Sequence, residues 1–456
     1  MKHLLLLIFS LVVTFTMRAQ SYYPDFTNNL NGVPINYKII DQTNRYVKIL
    51  GANTNDKYNS PELTFPQIVY KQGESEPYTV TEIEGGAFNF ISGSITGEHL
   101  TITLPASLEK LGDYAFAHGF EIKAVDLSKC TKLRTIERLT FHRGNIKKIS
   151  LPEGLDTIKG QTFDINDIET VYIPSTLRAI DVGSFMNNPN LKFVDMGKVS
   201  VVPFINDEIY YGPHTLPFGE NADLKIHVNT DMIGLYLNHT AWANYNGKYY
   251  ESIDMNATGY VSFYLENENF LVPTGCTAYI VTGITPGAGT VLPDQAIVKA
   301  FGAGKIIPKQ TGFILQGPAN TTIKYDAAVT GTEEDVTGNL LVGTGSGSVF
   351  TQTGKRFYIF AEGPNGMGFY RQGTRKGLSI KLAAHRAGLC LDESVAPAKG
   401  FIIDFDAARE AAETTNINYV NQDTRKKDNV IYDLQGRRVL NPTHGIYIIN
   451  GKKVVK

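Results

Sequence analysis

Nine histidines and three cysteines are the side chains of this chain best suited to hold a metal or attack a carbonyl, and their spacing serves neither purpose. His3, His99, His118, His142, His214, His227, His239, His385 and His444 are scattered, with no HExxH or other close ligand spacing. His118 and His142 come nearest to a pair, but no carboxylate or third ligand repeats beside them, so both are expected to be satisfied or solvated. Cys130, Cys276 and Cys390 form an odd, dispersed set, which argues against a disulfide framework. Cys130 sits where a small buried apolar residue fits and is expected to be a core thiol. Gly302-Ala303-Gly304-Lys305 has the outline of a phosphate loop, but the first Gly is missing and Ile306 stands where Ser or Thr is needed. Gly343, Gly345 and Gly347 mark a flexible turn. No GxSxG elbow occurs, no Cys has a His close in sequence, and "INDIET" (165–170) lacks the carboxylates of a calcium loop. No catalytic, cofactor-binding or metal-ligating residue is assigned, and a non-enzymatic protein is expected.

The remaining chemistry is recognition by a surface. Phe88, Phe116, Phe141, Phe163 and Phe185 recur at intervals of 28, 25, 22 and 22 residues, and a period in the twenties signals a solenoid. Before Phe163, Ile149 and Leu151 alternate with Lys148 and Ser150, the period of a strand with one face inward. Pro152 cannot donate to a ladder, so the strand ends there. Leu155 and Ile158, three apart, suit one turn of α- or 3₁₀-helix. Phe163 then closes the unit against its neighbours, and these residues are read as core. The outward strand positions are Thr101 and Thr103, Ala124 and Asp126, Lys148 and Ser150, Thr170 and Tyr172, then Phe193 and Asp195. They form the candidate ligand face, with Tyr172 and Phe193 expected side by side as an aromatic anchor for protein or sugar.

The repeats "ITLPASLEKLGDYAF" (102–116), "ISLPEGLDTIKGQTF" (149–163) and "VYIPSTLRAIDVGSF" (171–185) resemble the BspA-like leucine-rich repeat family. The flanks continue the resemblance over roughly 33–255. "NYKIIDQTNRYVKIL" (36–50) and "PYTVTEIEGGAF" (77–88) look like the β-rich entry, and 224–245 looks like the closing cap, with Tyr236 and Trp242 as its core. The longer early intervals, and Ser128 in place of Pro, leave the register of those units open.

With 43 basic and 45 acidic residues the chain has no global field to attract nucleic acid. Residues 1–19 read as a secretory signal: Lys2, an apolar stretch from Leu4 to Phe15, and a cleavage edge at Ala19. Nothing else has the length for a membrane span. After about residue 255 short alternating runs follow, at 260–265, 277–282, 311–317, 356–361, 367–372 and 400–405, which suggest a β-sandwich. That segment resembles a C-terminal module of secreted Bacteroidetes proteins, through "GYVSFY" (259–264), "KIIPKQTGFILQG" (305–317), "GPNGMGFY" (363–370) and "KGFIIDF" (399–405). Residues 430–456 resemble the C-terminal sorting segment of Bacteroidetes type IX secretion, on Val430-Ile431-Tyr432-Asp433, Gly436-Arg437 and Gly445-Ile446-Tyr447-Ile448.

The expected fold is mainly β with short helical turns: a leucine-rich repeat solenoid, a β-sandwich and a small C-terminal β module. The expected divisions are 1–19 signal peptide, 20–80 β-rich cap, 81–255 solenoid with its closing cap, 256–408 sandwich, 409–427 linker with one short helical turn, and 428–456 sorting-like segment. The expected function is that of a secreted or cell-surface, non-catalytic, adhesin-like protein whose exposed face binds an extracellular protein of host or bacterial origin. The alternative is a glycan-binding accessory protein of a surface polysaccharide system.

Overall fold

The computed structural model describes residues 23–52, 58–91, 99–206, 216–285, 294–395, 400–420, 431–432, 446–449 and 452–455. The signal-peptide reading of 1–19 lies outside them, as does most of the sorting-like segment.

The front of the chain is a stack of rungs built on two parallel ladders. The first ladder carries the predicted strands. Glu62–Thr64, Leu100–Thr103, Ile122–Asp126 and Lys148–Ser150 form one sheet, and Thr170–Tyr172, Phe193–Asp195, Lys225–His227 and Tyr249–Asp254 continue in a second. Their centres Ile102, Val125, Ile149, Val171, Val194 and Ile226 all point inward and are buried. The first ladder's Ile122–Asp126 strand ends without a Pro; the backbone N–H of Ser128 instead donates to Asp126 Oδ1 at 2.9 Å.

The second ladder corrects the sequence reading. Ile158 lies not on a helical turn but on a two-residue strand, Thr157–Ile158, paired in parallel with Thr135–Ile136 and Ala179–Ile180. A rung supports only as much helix as its own hydrogen bonds can close. Here the backbone groups are turned along the stack axis to bond the neighbouring rungs instead. Ile83, Leu111, Ile136, Ile158 and Ile180 form the buried row of this ladder.

Between the ladders the phenylalanines stack as expected. The centroids of Phe88, Phe116, Phe141, Phe163 and Phe185 are 5.1, 5.5, 5.3 and 4.8 Å apart in order, with rings nearly parallel. The long early intervals therefore do not disturb the stack. Each Phe sits in a loop whose flanking residues, two before and two after, have positive φ. The earlier set is Gly86, Tyr114, Leu139, Gln161 and Gly183; the later set is Phe90, His118, Arg143, Ile165 and Asn187. Such conformations cost a non-Gly residue roughly 1–2 kcal/mol. The compensation is axial. Phe116 N–H donates to Thr140 O, Phe141 N–H to Thr162 O and Phe163 N–H to Ser184 O, at 2.8, 2.9 and 2.7 Å. Buried side chains complete this third ladder. Asn166 and Asn188 each accept from the backbone of an adjoining turn, Ile146 N–H and Ile168 N–H, and donate to the backbone carbonyls of two successive Phe.

The closing cap holds Tyr236 and Trp242 fully buried with their rings edge to face at 5.5 Å, and Trp242 Nε1–H donates to Pro203 O. Cys130, Cys276 and Cys390 are free, and burial pushes the Cys130 thiol up to about 12, consistent with a core thiol.

The six sequence runs predicted as strands after residue 255 are strands, and all six join one nine-stranded sheet, as Tyr260–Tyr264, Gly312–Gln316, Thr277–Thr285, Lys355–Gly363, Gly366–Tyr370 and Gly400–Ile403. Its central strands are apolar on both faces: Ala278 and Ile280 pack into one cluster, Tyr279 and Val281 into another. Residues 409–420, read as linker, belong to a 16-residue helix, Phe405–Val420, rich in Ala and Glu. Asp404 Oδ1 accepts from Ala407 N–H at its start, and Phe405 stacks on Tyr260 at 4.4 Å. Ile431–Tyr432, Ile446–Ile449 and Lys452–Val455 make a small antiparallel sheet.

The two halves share a sheet. Thr322–Asp326 pairs antiparallel with Tyr249–Asp254, the last rung, in the register Glu251↔Tyr325. Glu251 points inward, fully buried, with Glu268 and Tyr325 beside it and Asp231 further off. Burial drives its carboxyl well above the usual range, and the charge of Glu268 adds to the rise.

Two outcomes follow for stability. Phe163→Ala removes the middle of the aromatic stack and should lower the unfolding free energy by about 3–5 kcal/mol in urea titrations. The raised Glu251 pKa makes a contribution that is complete below the ordinary value of 4.5 and is lost as pH rises through the folded-state value. Glu251→Gln cannot ionise, so its melting temperature should gain on that of the natural chain as the pH is raised, with little difference under acid conditions.

Candidate functional site

The first ladder places the predicted outward residues on one face. In its first sheet Thr101, Ala124 and Lys148 form one row and Thr103, Asp126 and Ser150 a second. In the second sheet Thr170, Phe193 and Lys225 form one row, and Tyr172, Asp195, His227 and Tyr250 the other. Lys148, Ser150, Tyr172 and Phe193 are exposed; Thr101, Thr103, Ala124, Asp126, Thr170 and Asp195 are half-buried. Tyr172 and Phe193 are not directly paired. Phe193 faces Thr170 and Tyr172 faces Asp195, so the two aromatics stand diagonally. Parallel strands of consecutive rungs enter at the same height, and Phe193 lies two residues earlier in its strand than Asp195, the partner of Tyr172. Both rings remain open to solvent, at 67% and 43% exposure.

The face extends past Asp195 into residues that the sequence reading had assigned to the cap. His227 Nδ1 lies 2.8 Å from Asp195 Oδ1, and its Nε2 lies 2.9 Å from Ser252 Oγ. The imidazole is stacked on Tyr250, with centroids 5.0 Å apart. The hydrogen bond from His227, with a further one from Gly197 N–H, holds the Asp195 carboxyl below the usual range. A carboxylate–imidazole–hydroxyl relay is the skeleton of an acyl-transfer site. It also needs donors aimed at a developing oxyanion. Here the flanking backbone groups are committed to the ladder: Val228 N–H donates to Tyr250 O, and Met196 N–H to His227 O. The relay fixes the imidazole and orders the face.

Beside it the surface becomes concave. Phe193, Lys225, Tyr250, Lys324 and Asp326 on the shared sheet, with Leu271, Val272, Pro273 and Thr274 opposite, enclose a cavity of about 380 Å³. Lys225 Nζ is bonded to Asp326 Oδ1 at 2.7 Å. Lys324 Nζ lies 5.5 Å from the Phe193 ring centre and 5.3 Å from that of Tyr250. Among the described residues Lys324 makes no ion pair. The sequence carried no sign of this groove, because Lys324 reaches the face through a strand that pairs with the last rung from far along the chain.

Other sequence candidates fall elsewhere. His118 and His142 do meet, edge to face at 5.8 Å, but His118 stacks on Phe90 and is bonded to Asn89, and His142 approaches the buried Asp164 at 3.4 Å. Burial and the neighbouring His142 push the His118 pKa down. Among the described residues no group of three His, Cys, Asp or Glu is placed to hold a metal ion. Lys305 of the discounted glycine loop is paired with Glu334 at 2.9 Å. No helix of the described residues is long and apolar enough to cross a membrane.

Among solved structures, the chain is similar to a leucine-rich repeat protein from Bacteroides ovatus, at 17% identity over 45% of this chain and 55% of that one, with a TM-score of 0.31. It is similar to the T. pallidum leucine rich repeat protein, at 18% identity over 36% of this chain and 68% of that one, with a TM-score of 0.27. The pneumococcal vaccine antigen PcpA matches at 17% identity over 45% of this chain and 65% of that one, with a TM-score of 0.28. The chain thus spans about half to two-thirds of the length of these structures. No curated protein matches the chain. Residues 75–213, which carry the stacked rungs and the Phe column, match the BspA type leucine rich repeat region in six copies.

Proposed function

We propose that this chain is a secreted or cell-surface, non-catalytic, adhesin-like protein that binds an extracellular protein partner through the outward face of its first ladder. The observation that carries the reading is the continuity of that face. Rows of polar residues from Thr101 to Asp195 run across stacked rungs and end in the exposed rings of Tyr172 and Phe193, with Lys148 and Ser150 between. Exposed aromatics within a polar surround are the usual anchors of protein interfaces. The repeat match over 75–213 supports the same reading, since such stacks offer long surfaces rather than enclosed pockets. In this reading 1–19 is an export signal, 20–80 a cap, 81–255 the binding solenoid, 256–408 a sandwich-type support, and 428–456 a sorting or attachment element.

The partner is sought by passing host extracellular proteins and bacterial surface proteins over the immobilised full chain. The double variant Tyr172→Ala, Lys148→Glu should weaken the captured interaction at least about tenfold, the scale of an interface anchor. Its melting temperature should match that of the natural chain, because both side chains are exposed. Unchanged affinity would remove this face from the interaction.

A further inference from the structure

We infer that the groove between the last rungs and the 271–274 loop is a second binding site, one that takes a carboxylate-bearing sugar at the end of a glycan. It shares Phe193 with the protein-binding face but does not rest on that reading. The cavity, about 380 Å³, falls in the size class of small-ligand sites. Its walls are unlike each other. Leu271 and Pro273 offer an apolar side, and Phe193 offers ring surface on the sheet. A pyranose has the same division, with C–H groups on its faces and hydroxyls at its edge.

The charge selects within the sugars. Two ammonium groups and one carboxylate line the groove. Asp326 is already bonded to Lys225, which leaves the lining with one ammonium group in excess. Lys324 stands over two aromatic rings, within the range of cation–π attraction, and makes no ion pair among the described residues. The rings hold the ammonium in place without neutralising it. A carboxylate entering the groove would gain a charge-assisted hydrogen bond from a donor already positioned for it. Thr274 adds a hydroxyl at the rim.

A peptide is the competing occupant, and the test below separates it from a sugar. Extended peptides commonly bind by adding a strand to a free sheet edge. Of the strands that floor this groove, only Thr322–Asp326, at the end of its sheet, has an unpaired side. Phe193–Asp195 is paired on both sides, as are Lys225–His227 and Tyr249–Asp254.

The test uses the full chain and defined probes: sialyllactose, a glucuronic-acid-capped oligosaccharide, neutral lactose, and an acidic oligo-glutamate peptide, each titrated by calorimetry. The acidic sugars should bind, lactose should not, and added salt should weaken the interaction. Lys324→Gln should reduce affinity about tenfold or more, the scale of a lost charged hydrogen bond. Lys324→Arg should retain binding, and Phe193→Ala should weaken it. Tyr172→Ala, outside the groove, should leave sugar binding unchanged, and Lys324→Gln should leave capture of a protein partner unchanged, so the two readings fail separately. The proposal is overturned if no acidic sugar binds, if lactose binds equally well, if Lys324→Gln has no effect while its melting temperature is unaltered, or if the acidic peptide binds more tightly than either sugar.

Discussion

Hydrogen bonding along the stack axis is the constraint on which the front half of this protein depends. Each rung closes only single turns of its own backbone, as from Leu155 N–H to Pro152 O, and its strands and Phe loops bond to neighbouring rungs. The loop around each Phe turns its N–H groups toward the next rung, using residues with positive φ on both sides of the ring. The aromatic column and the axial bonds are therefore one device. The ring fixes the spacing at about the distance that the bonds require, and the bonds offset conformations that would otherwise be unfavourable for Tyr114, Leu139 or Ile165. Thr140, Thr162 and Ser184 contribute to the same arrangement by bonding their hydroxyls to carbonyls of their own turn and, in each case, of the preceding rung.

A stack built in this way separates support from recognition. The central inward positions from Ile102 to Ile226 are Ile and Val, so residues that alternate with them can change without disturbing the core. That freedom is visible in the succession from Thr101 to Lys148 to Phe193, which share a backbone role and little chemistry. Where the ladder ends, the relay of Asp195, His227 and Ser252 and the groove beside Lys324 use the same outward positions, now drawn from two parts of the chain.

Much of this was legible in the sequence. The Phe period, the inward alternation, the aromatic cap around Trp242 and six strands of the second half all follow from local patterns of apolar residues. What was not legible depends on partners distant in sequence or on backbone geometry. The strand at Thr157–Ile158 looks like a helical turn because a spacing of three residues fits either. The helix Phe405–Val420 was underestimated because the polar tail of its sequence reads as a linker, whereas Phe405 anchors it on Tyr260. The diagonal placement of Tyr172 and Phe193 depends on a register that no single rung encodes. The pairing of Lys324 with the last rung leaves no mark in the neighbouring sequence.

The strand Thr322–Asp326 has a consequence for the order in which the molecule is assembled. It covers the final edge of the repeat stack, yet it lies about seventy residues downstream of the strand it covers. During synthesis the rungs emerge first and can zip together from contacts between neighbours, while their last edge stays bare until the ribosome has delivered the later segment. Bare sheet edges recruit other chains. The closing step is thus a long-range search that begins late, and a ribosome stalled near residue 260 would release a nearly complete stack with an adhesive end.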